Sequence, residues 1–135
     1  MRFIPTKIHA ALDYLAAITL IALPRALNWD TRLVSLLTIM GVTTLIYTLL
    51  TRFEGGVARV LPTKVHLLLD FISGAGLASL PFWLFTDVTS TTRTILIALG
   101  IFEIATSLFT KTHSTLETAD ASRNTSATGQ TASAR

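Results

Sequence analysis

Apolar residues run through this chain in four long blocks, at about 5–26, 33–51, 62–84 and 93–110, with the polar and charged positions gathered between them. From Leu33 to Leu50 no residue carries a charge for 18 positions. Each block is as long as the roughly 17–25 residues that cross the hydrocarbon of a bilayer as a helix. Pro5 and Pro62 open the first and third blocks, where a first-turn proline loses no hydrogen bond. Pro24 and Pro81 fall near the far ends, where a proline is expected to break or kink the helix. The pattern predicts an all-α fold of four membrane-spanning helices.

The blocks also repeat. Residues 4–24, IPTKIHAALDYLAAITLIALP, align with residues 61–81, LPTKVHLLLDFISGAGLASLP, and nine of the 21 positions are identical. Composition alone would give roughly one or two. GVTTLIYTLLTR at 41–52 likewise aligns with GIFEIATSLFTK at 100–111. The chain therefore reads as two tandem copies of one helical hairpin, 1–56 and 57–111, followed by a tail at 112–135. The repeat also decides how the N-terminus is read. Arg2, Lys7 and the apolar stretch after Ala10 resemble a signal peptide, yet the same pattern recurs in mid-chain, so the segment is expected to be a mature helix.

Charge sets the expected orientation. Arg2, Lys7, Arg52, Arg59, Lys64, Lys111, Arg123 and Arg135 fall on one side of the four spans, against Arg25, Arg32 and Arg93 on the other. Excess Lys and Arg mark the cytoplasmic side, so both termini and the central loop are expected there. Both copies then have the same orientation, related by an axis along the membrane normal. Lys7 and Lys64 are expected to snorkel to the headgroups, with Trp29 and Trp83 as aromatic anchors at the opposite interface. The central loop, with Phe53, Val57, Val60 and Leu61 beside its cations, is expected in the headgroup layer, although Gly55-Gly56 weakens a continuous helix. The tail, rich in Ser, Thr and Ala and without an aromatic, is expected to be disordered. Asn124-Thr125-Ser126 matches a glycosylation sequon, which a cytoplasmic tail would not use.

Composition narrows the function classes. Half the residues are apolar and 14% are charged, against about 25% in soluble domains. With no cysteine, disulfides and thiolate metal sites are excluded. The net charge of +3 comes without a basic run or basic helix face, so no nucleic-acid partner is expected.

A duplicated four-helix unit in which Pro-Thr-Lys-x-His-x3-Asp opens each odd helix, and a Pro-plus-aromatic signature closes it, resembles the SPW repeat membrane proteins. The closing signature here reads Leu23-Pro24-Arg25 in the first copy and Leu80-Pro81-Phe82, followed by Trp83, in the second. The likeness covers about residues 3–111. It implies a small integral protein of a bacterial cytoplasmic membrane, without an established activity, and it carries over no catalytic residue.

Ionisable side chains at membrane depth are costly, and each is a candidate site. Thr6, His9 and Asp13, and again Thr63, His66 and Asp70, are spaced to share one helix face. Within each helix His and Asp are i, i+4, close enough for a direct hydrogen bond. At 1.5 Å per residue Asp13 and Asp70 lie about 12 Å deep and Glu103 about 10 Å. Thr44 is the repeat counterpart of Glu103. Asp13, Thr44, Asp70 and Glu103 are thus expected in one polar layer, with His9 and His66 a turn nearer the surface. Such a layer fixes helix register where no hydrophobic effect drives helix association. His, Asp and Glu chains also serve proton and ion pathways. Two imidazoles with carboxylates suit a metal, and two histidines could hold haem, but a duplicated His always makes a symmetric pair. The spacing accordingly assigns no metal and no cofactor.

Ser73, Gly74, Ala75, Gly76, Ala78 and Ser79 give helix 3 a very small face, matched in part by Ala16 and Ala17 in helix 1. This predicts close helix packing with helix 3 as its centre, within the bundle or in a homo-oligomer. With no nucleotide loop, nucleophile elbow or soluble domain, an enzyme is not expected. The expectation is a small non-enzymatic membrane protein acting through its own packing or a membrane-protein partner, with a proton- or ion-translocating protein as the alternative.

Overall fold

The computed structural model describes residues 2–113, 116, 118–119 and 121–123. Four long helices account for most of them: α1 (Thr6–Ala26), α2 (Thr31–Leu50), α3 (Thr63–Trp83) and α4 (Ser90–Phe109). Each is long and apolar enough to cross a membrane, which suggests a multi-pass membrane protein. No strand occurs among the described residues.

Local chemistry sets the helix ends. Pro5 and Pro62 stand as extended N-cap residues before α1 and α3. At α2 the Asp30 carboxylate accepts from the Arg32 backbone N–H, and that bond holds the Asp30 pKa below the usual carboxylate range. At α4 the Thr89 hydroxyl accepts from the Thr92 N–H. These side-chain caps satisfy amides that a helix start leaves without partners. They start α2 and α4 two or three residues before the apolar blocks begin. Neither Pro24 nor Pro81 stops its helix on the spot; each helix runs two residues further. α1 then closes with Asn28 at φ 50°, while Asn28 N–H donates to Arg25 O and Trp29 N–H to Pro24 O. This is a Schellman closure, with asparagine in the left-handed position usually taken by glycine.

The helices pack as two hairpins, α1 on α2 and α3 on α4. The α1/α4 and α2/α3 seams are slight, and α1 and α3 have no close backbone approach, facing each other across the diagonal. Glycines set the tight seams. A Cβ on Gly41 would meet the Ala17 carbonyl at 2.8 Å, and one on Gly100 would meet the Gly74 carbonyl at 2.4 Å. Helix 3 is therefore half of a tight hairpin rather than the centre of the bundle. Its small face is used at Gly74 and Ala78, against Gly100, whereas Gly76 faces open space.

Short backbone bridges close one end. Ile4 pairs with Thr110, and Thr51 with Leu61. Ile4 N–H donates to Phe109 O and Lys111 N–H to Ile4 O; at the corresponding positions Leu61 N–H donates to Leu50 O and Arg52 N–H to Leu61 O. Each hairpin's last turn is thereby tied to the first residues before the other's opening helix.

Inside and outside are inverted relative to a soluble bundle. Ile8, Leu15, Ile18, Ile39, Ile46, Leu68, Ile72 and Ile101 are exposed, while Thr6, Thr44, Thr48, Thr51, Thr63 and Thr110 are buried. An apolar sheath of this extent marks a surface made for something other than water. The interior has two parts. A leucine core of Leu20, Leu33, Leu37, Leu77, Leu80 and Leu96 fills the end near the 27–30 and 84–89 loops, with Trp29, Phe85 and Val88 packed against it. The opposite half holds the polar side chains.

The central loop does not lie flat as an amphipathic segment. Phe53 is 1% exposed and packs on the His66 ring at 5.2 Å. Glu54 accepts from the Thr6 hydroxyl, and the Gly55 carbonyl from the Tyr14 hydroxyl. Gly55 sits so close that a Cβ would meet that of Ala10 at 2.6 Å. Only Val57 and Val60 remain exposed as expected of a headgroup contact. Burying one aromatic ring and making two hydrogen bonds outweighs the weak helical tendency of a Gly-Gly segment.

In the tail, residues 116, 118–119 and 121–123 are helical, which the composition did not lead one to expect; Leu116, Ala119 and Ala121 are good helix formers. The sequon at 124–126 lies outside the described residues.

Candidate functional site

Four side chains meet in the polar half, two from α1 and two from α3. His9, Asp13, His66 and Asp70 are all buried, and one ligand-type atom from each lies within 4.8 Å of all the others. Their connections run across the bundle. His9 Nε2 is 2.9 Å from Asp70 Oδ2, and His66 Nε2 is 2.9 Å from Asp13 Oδ2. The same-helix distances are longer, 3.5 Å for His9–Asp13 and 3.2 Å for His66–Asp70. The expected i, i+4 hydrogen bonds are therefore replaced by reciprocal bonds between the helices. Residues spaced i, i+4 point the same way from one helix, whereas a diagonal partner points back at them and meets them head-on.

The far nitrogen of each ring fixes its protonation. His66 Nδ1 lies 2.9 Å from Thr51 Oγ1, and His9 Nδ1 lies 3.1 Å from Thr110 Oγ1. Each threonine already donates its one hydroxyl proton, at 2.6 Å, to the carbonyl of Tyr47 or Thr106. Its oxygen can then only accept, so both Nδ1 atoms carry a hydrogen. What remains is one proton in each Nε2···Oδ2 contact, whether on nitrogen or on oxygen. Each His–Asp pair is neutral overall, which suits burial in a medium of low dielectric.

Two further groups complete the surroundings. The Tyr47 hydroxyl donates to Asp70 Oδ1 at 2.7 Å, with Thr44 Oγ1 3.3 Å away. The His9 and His66 rings meet edge to face at 5.4 Å, and the Tyr47 ring stands 5.0 Å from His66 in the same way.

Thr44 thus adjoins the cluster through Tyr47, as a layer would place it. Glu103 is buried, but no hydrogen bond joins it to the four, and its Oε2 has no partner. It borders a cavity of about 220 Å³ between α1 and α4, lined also by Leu15, Ala16, Thr19 and Phe102. Lys7 and Lys64 are exposed at the helix starts. Trp83 is exposed and its indole donates to the Ser79 hydroxyl, and Trp29 is partly buried against the leucine core. A haem between His9 and His66 does not fit: the rings are 5.4 Å apart, and carboxylates occupy the space a porphyrin would need.

Tyr47, Thr51, Thr110 and Phe53 belong to the site without having been singled out by spacing. The two threonines had a signal, since Thr51-Arg52 and Thr110-Lys111 close the aligned second halves of the repeat. Tyr47 and Phe53 had none, because their counterparts Thr106 and Thr112 differ in kind.

No protein-family model matches the chain, and neither a curated protein nor a solved structure is significantly similar to it.

Proposed function

We propose that the chain is a small multi-pass membrane protein of the SPW repeat kind, made of two tandem hairpins that the His–Asp cluster holds together. It works without enzymatic chemistry, through its own packing or a membrane partner, in a bacterial cytoplasmic membrane with both termini inside. The observation that carries this reading is the reciprocal bonding of His9 to Asp70 and His66 to Asp13. Between two apolar hairpins in lipid the hydrophobic effect supplies no attraction, and polar contacts act as the glue. Here the side seams are slight, so the diagonal contacts supply cohesion that the seams lack. The exposed apolar sheath and the four spans support the membrane setting, and the eight-to-three Lys/Arg asymmetry supports the orientation.

Proton or ion movement through His9, Asp13, His66, Asp70 and Glu103 is a second reading. Its support is the unpartnered Glu103 oxygen beside the α1–α4 cavity. One experiment separates the two. Asp13→Asn and Asp70→Asn are compared with the parent chain for thermal stability in detergent and for proton flux in vesicles. Loss of stability with no flux in the parent is expected. Flux in the parent that vanishes in stably folded variants would establish the pathway instead.

A further inference from the structure

We propose that the cluster is also a binding site for one divalent transition-metal ion, with Nε2 of His9 and His66 and one carboxylate oxygen each from Asp13 and Asp70 as ligands. The inference uses the same four side chains as the proposed tie between the hairpins, but adds an occupant.

Geometry carries it first. Zinc–nitrogen and zinc–oxygen bonds of about 2.0–2.1 Å in a tetrahedron place neighbouring donor atoms about 3.3 Å apart. Through Asp13 Oδ2 and Asp70 Oδ2 three His–Asp distances are 2.9, 2.9 and 3.2 Å; the fourth contact, 3.5 Å from His9 Nε2, is to Asp13 Oδ1. One donor atom from each of the four lies within 4.8 Å of the others, so the set closes on an ion by a turn of the Asp13 carboxylate and inward shifts of the side chains. The orientation of the ligands is already set. Thr51 and Thr110 hold the Nδ1–H of each ring, which turns the Nε2 lone pair toward the centre. Tyr47 holds the outer oxygen of Asp70. Histidine ligands of metal sites are oriented in this way by a hydrogen bond at their other nitrogen.

Charge permits it as well. Two neutral imidazoles, two carboxylates and one divalent ion sum to zero, the same net charge as the cluster with its two bridging protons. The ion replaces those protons without leaving a net charge in an apolar bundle. Donor chemistry selects its class. Two nitrogens and two oxygens suit Zn²⁺, Fe²⁺ or Mn²⁺; Ca²⁺ and Mg²⁺ prefer six or more oxygens, and Cu⁺ prefers sulfur.

The test uses the full-length chain in detergent, stripped by a chelator and then titrated with Zn²⁺ or Co²⁺. The expected result is one Zn²⁺ per chain, with Co²⁺ giving the intense visible bands of four-coordinate cobalt. His9→Gln and His66→Gln are expected to abolish binding. Thr51→Val and Thr110→Val keep all four ligands and are expected to weaken it about 10–100-fold. Absence of saturable binding by a helical, monodisperse chain overturns the proposal. So does the faint pink of octahedral cobalt, or undiminished binding in the histidine variants. Should those variants fail to fold, the parent cobalt spectrum and the threonine variants decide. The tie between hairpins is read separately, from unfolding in the presence of chelator, so it can stand where the metal site fails.

Discussion

Because Thr51 and Thr110 each donate their one hydroxyl proton to a carbonyl of the preceding turn, the imidazoles beside them present a fixed Nδ1–H and leave Nε2 for the opposite carboxylate. Removing either hydroxyl strands a buried N–H, which costs about 1–3 kcal/mol. Thr51→Val and Thr110→Val are therefore expected to lose that much stability in chelator, while Thr→Ser at either position restores most of it. Unfolding followed by circular dichroism measures the loss; unchanged midpoints in both valine variants would contradict the assignment of the proton. At this scale the sequence marked His9, Asp13, His66 and Asp70 through their repetition. It did not disclose how they pair, because i, i+4 spacing permits an intrahelical contact and nothing in a single helix says what faces it across the diagonal. Glu103 was legible as a buried acid by its depth, but its separation from the four depends on which way α4 turns.

At the scale of elements, the hairpin seams rest on backbone approach at glycine. A Cβ on Gly100 would lie 2.5 Å from the Ala78 backbone nitrogen as well as 2.4 Å from the Gly74 carbonyl. Rigid backbone on both sides leaves nothing to yield cheaply. Gly100→Ala is expected to destabilise by about 1–3 kcal/mol through forced separation of α3 from α4. Gly76 has nothing within 4 Å, so Gly76→Ala is expected to be neutral or stabilising by up to about 1 kcal/mol through helix propensity. Comparing the two unfolding midpoints checks the seam, and equal effects would contradict it. The small-residue stripe of helix 3 showed in the sequence that close packing occurs there. Which of its residues make the contact did not show, since Gly74 and Gly76 differ only in the direction they face. The four helices themselves were legible from apolar length to within about three residues. α2 and α4 began earlier than their apolar runs because Asp30 and Thr89 cap them, and a polar cap extends a helix beyond its hydrophobic pattern.

Over the whole molecule, an apolar exterior surrounds a half-polar interior, and the proposed orientation puts the end richer in Lys and Arg in the cytoplasm. A reporter fused after Arg135 is expected to be active only in the cytoplasm, and activity outside would refute the proposed orientation. The central loop shows why whole-molecule features are the hardest to read from a chain. Its cations and valines suggested a headgroup segment, yet Phe53 is buried against the His66 ring of the following helix, and nothing along the sequence shows that the loop folds back onto that face of α3.

The account depends most on the diagonal pairing of the two hairpins. A double-mutant cycle tests it directly, with His9→Gln combined in turn with Asp70→Asn and with Asp13→Asn, and reversible unfolding measured in detergent with chelator present. Contacting residues couple by about 0.5–3 kcal/mol. The His9–Asp70 coupling is predicted to fall in that range and to exceed the His9–Asp13 coupling, in keeping with contacts of 2.9 and 3.5 Å. A same-helix coupling that is the larger of the two, or a diagonal coupling indistinguishable from zero, would contradict it.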